Sequence, residues 1–190
     1  MTIAGLNVGL SFRAGTMKSR PMRHTFVLAL LVAGAVLRAA PEYPKQGPDI
    51  YDAQADGAAL IRAAEQQAQA GHKRVLLDFG ANWCPWCHAL HRLFTTDDTV
   101  RSRLAADYVL VMIDVNRRHG IARNAAVNER YGNPVRFGLP VLVVLDADGR
   151  LLVTQETGAL ERGDGTVAHD PAKVRAFLAR WAPPPALARP

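Results

Sequence analysis

Residues 75–94 read VLLDFGANWCPWCHALHRLF. An apolar run gives way to small and aromatic residues. Two cysteines follow, with Pro85 and Trp86 between them, and then an amphipathic helical pattern. A strand that hands a Cys-x-x-Cys pair to the start of a helix fixes local fold and chemistry together, and marks a redox device. Cys84 and Cys87 are the only cysteines in the chain. Backbone N–H groups at a helix N-terminus carry partial positive charge, which favours a thiolate there. The pattern predicts an exposed, nucleophilic Cys84. It places Cys87 one turn into the helix, where it could attack a mixed disulfide and release the substrate.

Other chemistries use the same residue types. A structural disulfide across two residues closes a very small loop and stabilises little by chain entropy. CPWCH, Cys84–His88, also has the form of a c-type haem attachment motif, with Met112 or another histidine as a distal ligand. Haem domains are usually helical, whereas this motif sits between a buried strand and an amphipathic helix. Zinc held by Cys84, Cys87, His88 and His91 uses allowed ligands, but four ligands within eight residues of one helix strain a tetrahedron. No nucleotide or metal motif appears, so no dissociable cofactor is expected.

The net charge of +6 misleads. Arg13, Lys18, Arg20, Arg23 and Arg38 precede residue 41, where there is no Asp or Glu. The remaining 18 Lys and Arg face 17 Asp and Glu, which leaves +1. No sustained basic stripe points to nucleic acid. Lys18, Arg20 and Arg23 stand before Phe26–Leu37, FVLALLVAGAVL, the layout of an export signal. Twelve residues are short for a bilayer span of about 20. Residues 1–40 are therefore expected to be an N-terminal extension with a signal peptide or anchor, and the location periplasmic or otherwise exported. The membrane would be met only through that segment, if it stays uncleaved. Residues 41–50 read as a linker, and 183–190 as a disordered Pro-rich tail.

Between these lies one domain, 51–182. Its patterning predicts a helix over Ala53–Ala70 with Leu60, Ile61 and Ala64 on one face, stopped at Gly71. A strand Val75–Phe79 and a helix Pro85–Phe94 follow. Thr96 or Asp97 caps the next helix, which runs to about Ala106. Tyr108–Val115 is a buried strand and Ile121–Tyr131 a helix. Leu139–Leu145 and Arg150–Thr154 form a hairpin across the turn Asp146–Gly149. Asp170-Pro171 opens the last helix, which reaches Trp181. This order predicts an α/β fold, a mixed central sheet flanked by helices on both faces.

Over Tyr51–Trp181 the chain resembles the thioredoxin superfamily. The carriers are LDFGANWCPWCHAL, with Trp83 just before the first cysteine, Asp78 in the strand, and Pro140 in GLPVLVVLD. The resemblance implies a thioredoxin-like fold and thiol–disulfide oxidoreductase activity. Its partners would be protein thiols and disulfides, and a redox partner protein as electron donor or acceptor. It implies that Asp78 is a buried carboxylate that takes a proton from Cys87. It also implies a cis Leu139–Pro140 bond that presents the backbone of Leu139 beside Cys84 to an extended substrate. Trp83 and Trp86 could form an apolar rim that docks polypeptide. His88 is a candidate base or cation that lowers a thiol pKa. The chain departs from the family in having Pro85-Trp86 between its cysteines, not Gly-Pro. It also lacks the lysine that thioredoxin places near its buried acid. A non-catalytic thioredoxin-like module for partner or metal binding is the alternative.

Overall fold

The computed structural model of the protein describes residues 46–120 and 122–184. The N-terminal extension with Phe26–Leu37, the first half of the linker, and residues 185–190 of the tail lie outside them. Arg74–Gly80 (β1), Tyr108–Asp114 (β2), Val141–Leu145 (β3) and Leu151–Glu156 (β4) form a sheet in the order β2-β1-β3-β4. β1 runs parallel to β2 and antiparallel to β3, and β3 runs antiparallel to β4. β1 and β3 are near-continuous apolar runs because they are the two central strands, buried on both faces.

Side-chain alternation along β1 builds two cores. Val75, Leu77 and Phe79 face Ile61, Ala64 and Ala68 of α1 (Gly57–Gly71) and Val127 of α4 (Ala125–Arg130). On the opposite face Leu76 packs with α2 (Pro85–Thr96), α3 (Asp98–Asp107) and α5 (Pro171–Arg180). Fully burying such a side chain contributes roughly 1.5–3 kcal/mol. The chain is thus an α/β thioredoxin-like fold with helices on both faces of a mixed sheet.

The helix starts follow their caps. The Asp56, Asp97 and Asp170 carboxylates accept backbone N–H groups of the first turns of α1, α3 and α5. Asp56 moves the start of α1 past the expected Ala53. Leu60, expected inward, is 38% exposed, while Ile61, Ala64 and Ala68 carry the buried face. His72 takes the left-handed cap position after Gly71. The largest correction falls in the helix expected over Ile121–Tyr131, of whose described residues only Ala125–Arg130 is α-helical. Asn124 is left-handed, at φ 50°. Its amide donates to the Asp114 carbonyl at 2.9 Å and accepts Gly57 N–H at 2.9 Å. With that tie of β2 to α1, α4 starts only after Asn124.

Candidate active site

The end of β1 and the start of α2 deliver both cysteines. Cys84 is the N-cap of α2, and Pro85 occupies the first turn, where its missing N–H costs nothing. The Cys84 sulfur therefore serves as the capping acceptor and takes the Cys87 N–H at 3.3 Å. The Cys84 thiol pKa is lowered, chiefly by its hydrogen bond with the Cys87 thiol. Burial opposes this, and the backbone N–H groups of Cys87 and Trp86 add to it. The Cys87 thiol is pushed up, first by burial, then by the Cys84 hydrogen bond and the charge of Asp78. Both cysteines are free thiols. Cys84 departs from expectation in one respect, since it is only 3% exposed. It packs with Tyr51 and Cys87 under Ile50, Trp83, Trp86, Met112 and Leu139.

Asp78 lies in the middle of β1, paired with Met112 on one side and Leu142 on the other, and is fully buried. Its place on a central strand keeps the carboxylate from solvent. Desolvation raises its pKa to about 7, against the opposing effect of a hydrogen bond from Tyr51. That bond runs from the Tyr51 hydroxyl to Asp78 Oδ1 at 3.0 Å. Asp78 Oδ2 has no hydrogen-bond partner. Tyr51 is the residue that sequence reasoning missed. Asn82 of the ANWC segment holds it there. Its Oδ1 accepts the N–H groups of Ile50 and Tyr51, each at 2.9 Å, and its amide donates to the Tyr51 carbonyl at 2.9 Å.

Gly80 makes room for this arrangement. A Cβ on Gly80 would stand 2.8 Å from Cys87 Sγ and collide with the Tyr51 hydroxyl. The Leu139–Pro140 bond is cis, and the Leu139 carbonyl lies 3.5 Å from Cys84 Sγ. Trp83 packs on the domain. Its indole N–H donates to Asn116 Oδ1 at 3.1 Å, and the Arg118 guanidinium stacks 3.5 Å above the ring. Trp86 meets the His169 ring edge-on at 5.7 Å. His88 has a backbone partner of its own. Its Nε2–H donates to the Asn82 carbonyl at 2.8 Å, which leaves the expected modulation of a thiol without support. The same bond occupies the Nε2 that the haem reading would need as an iron ligand, and both cysteines are almost buried. Among the described residues no three His, Cys, Asp or Glu side chains converge as metal ligands.

Residues 61–164 match the family model of the thioredoxin-like domain. The thiol:disulfide interchange protein DsbD of Ralstonia nicotianae is 34% identical over 108 residues, which are 57% of this chain and 17% of that protein. The DsbD of Yersinia enterocolitica is 29% identical over 162 residues, 84% of this chain and 27% of that protein. The chain thus matches less than a third of the length of these curated relatives. Among solved structures, a disulphide isomerase from Xylella fastidiosa is 29% identical with a TM-score of 0.59, covering 74% of this chain and 98% of the other.

Proposed function

The chain belongs to the thioredoxin-like domain family, and from that premise we propose that it is an exported thiol–disulfide oxidoreductase acting on protein substrates. One observation carries the reading. The Cys84 sulfur caps α2 and lies 3.5 Å from the carbonyl that precedes the cis-proline, so the acidic thiol stands beside a backbone edge. Leu139 and Pro140 offer that edge to an extended substrate, and Trp83 and Trp86 flank it.

Cys84 thiolate attacks a substrate disulfide and forms a mixed disulfide, and one substrate sulfur leaves as a thiolate. Cys87 then attacks Cys84 Sγ, the bond to the second substrate sulfur breaks, and the substrate leaves reduced while the pair is oxidised. Asp78 is the base that ends protonated in that second step. The reverse sequence oxidises substrate thiols. Direction follows the potential of the pair, which spans about −270 to −120 mV among such proteins. A redox partner protein supplies or removes the electrons.

Lys18, Arg20 and Arg23 ahead of Phe26–Leu37 support export of the domain at 51–182 on the linker 41–50. No helix among the described residues is long and apolar enough to cross a membrane. The test is insulin reduction with the wild type and both serine variants. Cys84→Ser should abolish exchange, and Cys87→Ser should accumulate mixed disulfide. A wild type that leaves insulin intact, and that neither oxidises nor reduces a peptide cysteine pair, would leave a non-catalytic module as the better reading.

A further inference from the structure

Asp78 is fully buried and near enough for its charge to push up both thiols, yet its hydrogen-bonded oxygen is occupied by Tyr51 and not by Cys87. The space over Gly80 shows what lies between. A Cβ there would touch Cys87 Sγ at 2.8 Å and collide with the Tyr51 hydroxyl, so the thiol and the phenol close on the same point. The phenol also meets the carboxylate at 3.0 Å. Asn82 fixes the backbone at Ile50 and Tyr51 by three hydrogen bonds, two of them to Tyr51 itself, so the placement of the phenol is built and not incidental. We propose that Tyr51 is a proton relay: in the resolving step the Cys87 proton passes to the Tyr51 hydroxyl while the Tyr51 proton passes to Asp78 Oδ1.

The inference rests on the proposed thiol–disulfide chemistry and adds the route of its proton. The step balances. The Cys87 S–H bond breaks and its electron pair forms the new bond to Cys84 Sγ, while the Cys84–substrate bond breaks and the substrate sulfur leaves as a thiolate with the pair of that broken bond. Tyr51 gains one proton as it gives one up, and Asp78 ends protonated. No tyrosinate forms, because the two transfers are concerted. Burial and the neighbouring charges of Asp78 and Cys87 hold the phenol firmly neutral, which suits a relay and not a base.

Relay and mere tuning predict opposite signs. The Tyr51 hydrogen bond lowers the Asp78 pKa, so removing the hydroxyl makes Asp78 a stronger base. If Tyr51 only tuned Asp78, Tyr51→Phe would resolve mixed disulfide as fast as wild type or faster at high pH. If Tyr51 carries the proton, resolution slows on the order of 10-fold although the base has strengthened. The experiment is stopped-flow reaction of the reduced protein with a nitrothiobenzoate disulfide. The first thiolate released reports attack by Cys84, and the second reports resolution by Cys87. Tyr51→Phe should keep the first rate, slow the second and shift its pH inflection upward. Tyr51→Phe/Asp78→Asn should be no slower than Asp78→Asn alone. In wild type, the resolving rate in mixtures of light and heavy water should bow below a straight line, as two moving protons require. That measurement needs no variant to fold. A straight line in wild type, or a second phase in Tyr51→Phe at the wild-type rate, overturns the relay. Loss of the first phase in wild type would instead overturn the thiol–disulfide reading beneath it.

Discussion

Asp78 ties the chemistry to pH. It must be ionised to accept a proton, and its pKa of about 7 makes it half-ionised near neutrality. Resolution by Cys87 should therefore speed up as pH rises through about 7, and Asp78→Asn should flatten that rise and slow the step by at least an order of magnitude near neutral pH. Stopped-flow kinetics of the mixed disulfide across this range check it, and an unchanged inflection in the variant would remove Asp78 from the step. The two thiols should separate likewise. Cys84, capping α2, should alkylate with iodoacetamide at lower pH than Cys87 when each is measured in the other's serine variant. At this scale the sequence says much about Asp78, because an acid flanked by Leu76, Leu77 and Phe79 is anomalous wherever the strand lies. It says nothing of Tyr51, which stands 27 residues upstream in a stretch without periodicity. Only the tertiary clamp by Asn82 brings Tyr51 to the carboxylate. His88 is the reverse case. Closeness to Cys87 in sequence suggested contact, whereas the helix turn aims its ring at the Asn82 carbonyl.

Whole elements, not single side chains, set the spacing between sheet and thiols. β1 ends at Gly80, beneath the point where α2 begins, and that position tolerates no side chain. Gly80→Ala would push its methyl against the Tyr51 hydroxyl and Cys87 Sγ. Overpacking of a tight interior costs about 1–3 kcal/mol. The variant should unfold at lower urea concentration and resolve mixed disulfide more slowly, and equal stability and rate would mean that β1 and α2 yield easily. The central strands and capped helices were legible because long apolar runs and Asp or Pro caps are local signals. Ile121–Tyr131 was not, because a helical pattern there competes with a tertiary bond. Asn124 satisfies Gly57 N–H and the Asp114 carbonyl, and a left-handed residue cannot continue a helix. Trp83 shows the same limit in the site itself. Its neighbour in sequence is Cys84, but its anchors, Asn116 and Arg118, come from the loop after β2.

Across the whole molecule, two buried titratable groups pull stability in opposite directions. Asp78 has a pKa of about 7 in the folded protein against an ordinary 3.8. Between those values the unfolded chain has lost the proton that the folded chain keeps, so stability falls as pH rises through that window. At about 1.4 kcal/mol per pKa unit, the full effect is roughly 4 kcal/mol. His169 is 3% exposed, neither ring nitrogen has a partner, and burial lowers its pKa to about 4 from 6.5. There the unfolded chain takes up a proton that the folded chain refuses, so stability falls as pH drops from 6.5 toward 4. The windows overlap and the slopes oppose, which should leave the reduced wild type with a shallow stability profile between about pH 4.5 and about pH 6.5. Asp78→Asn removes one slope. The variant should gain most over wild type above about pH 7, gain least near about pH 4, and lose stability steadily on acidification. His169→Phe, which keeps a ring against Trp86, should do the reverse and become less stable as pH rises toward 7. Urea unfolding of the three reduced proteins at acidic, intermediate and alkaline pH measures all of this. Parallel profiles for wild type and both variants would mean that neither group holds its buried pKa in the folded protein, and the base assigned to Cys87 would fall with them.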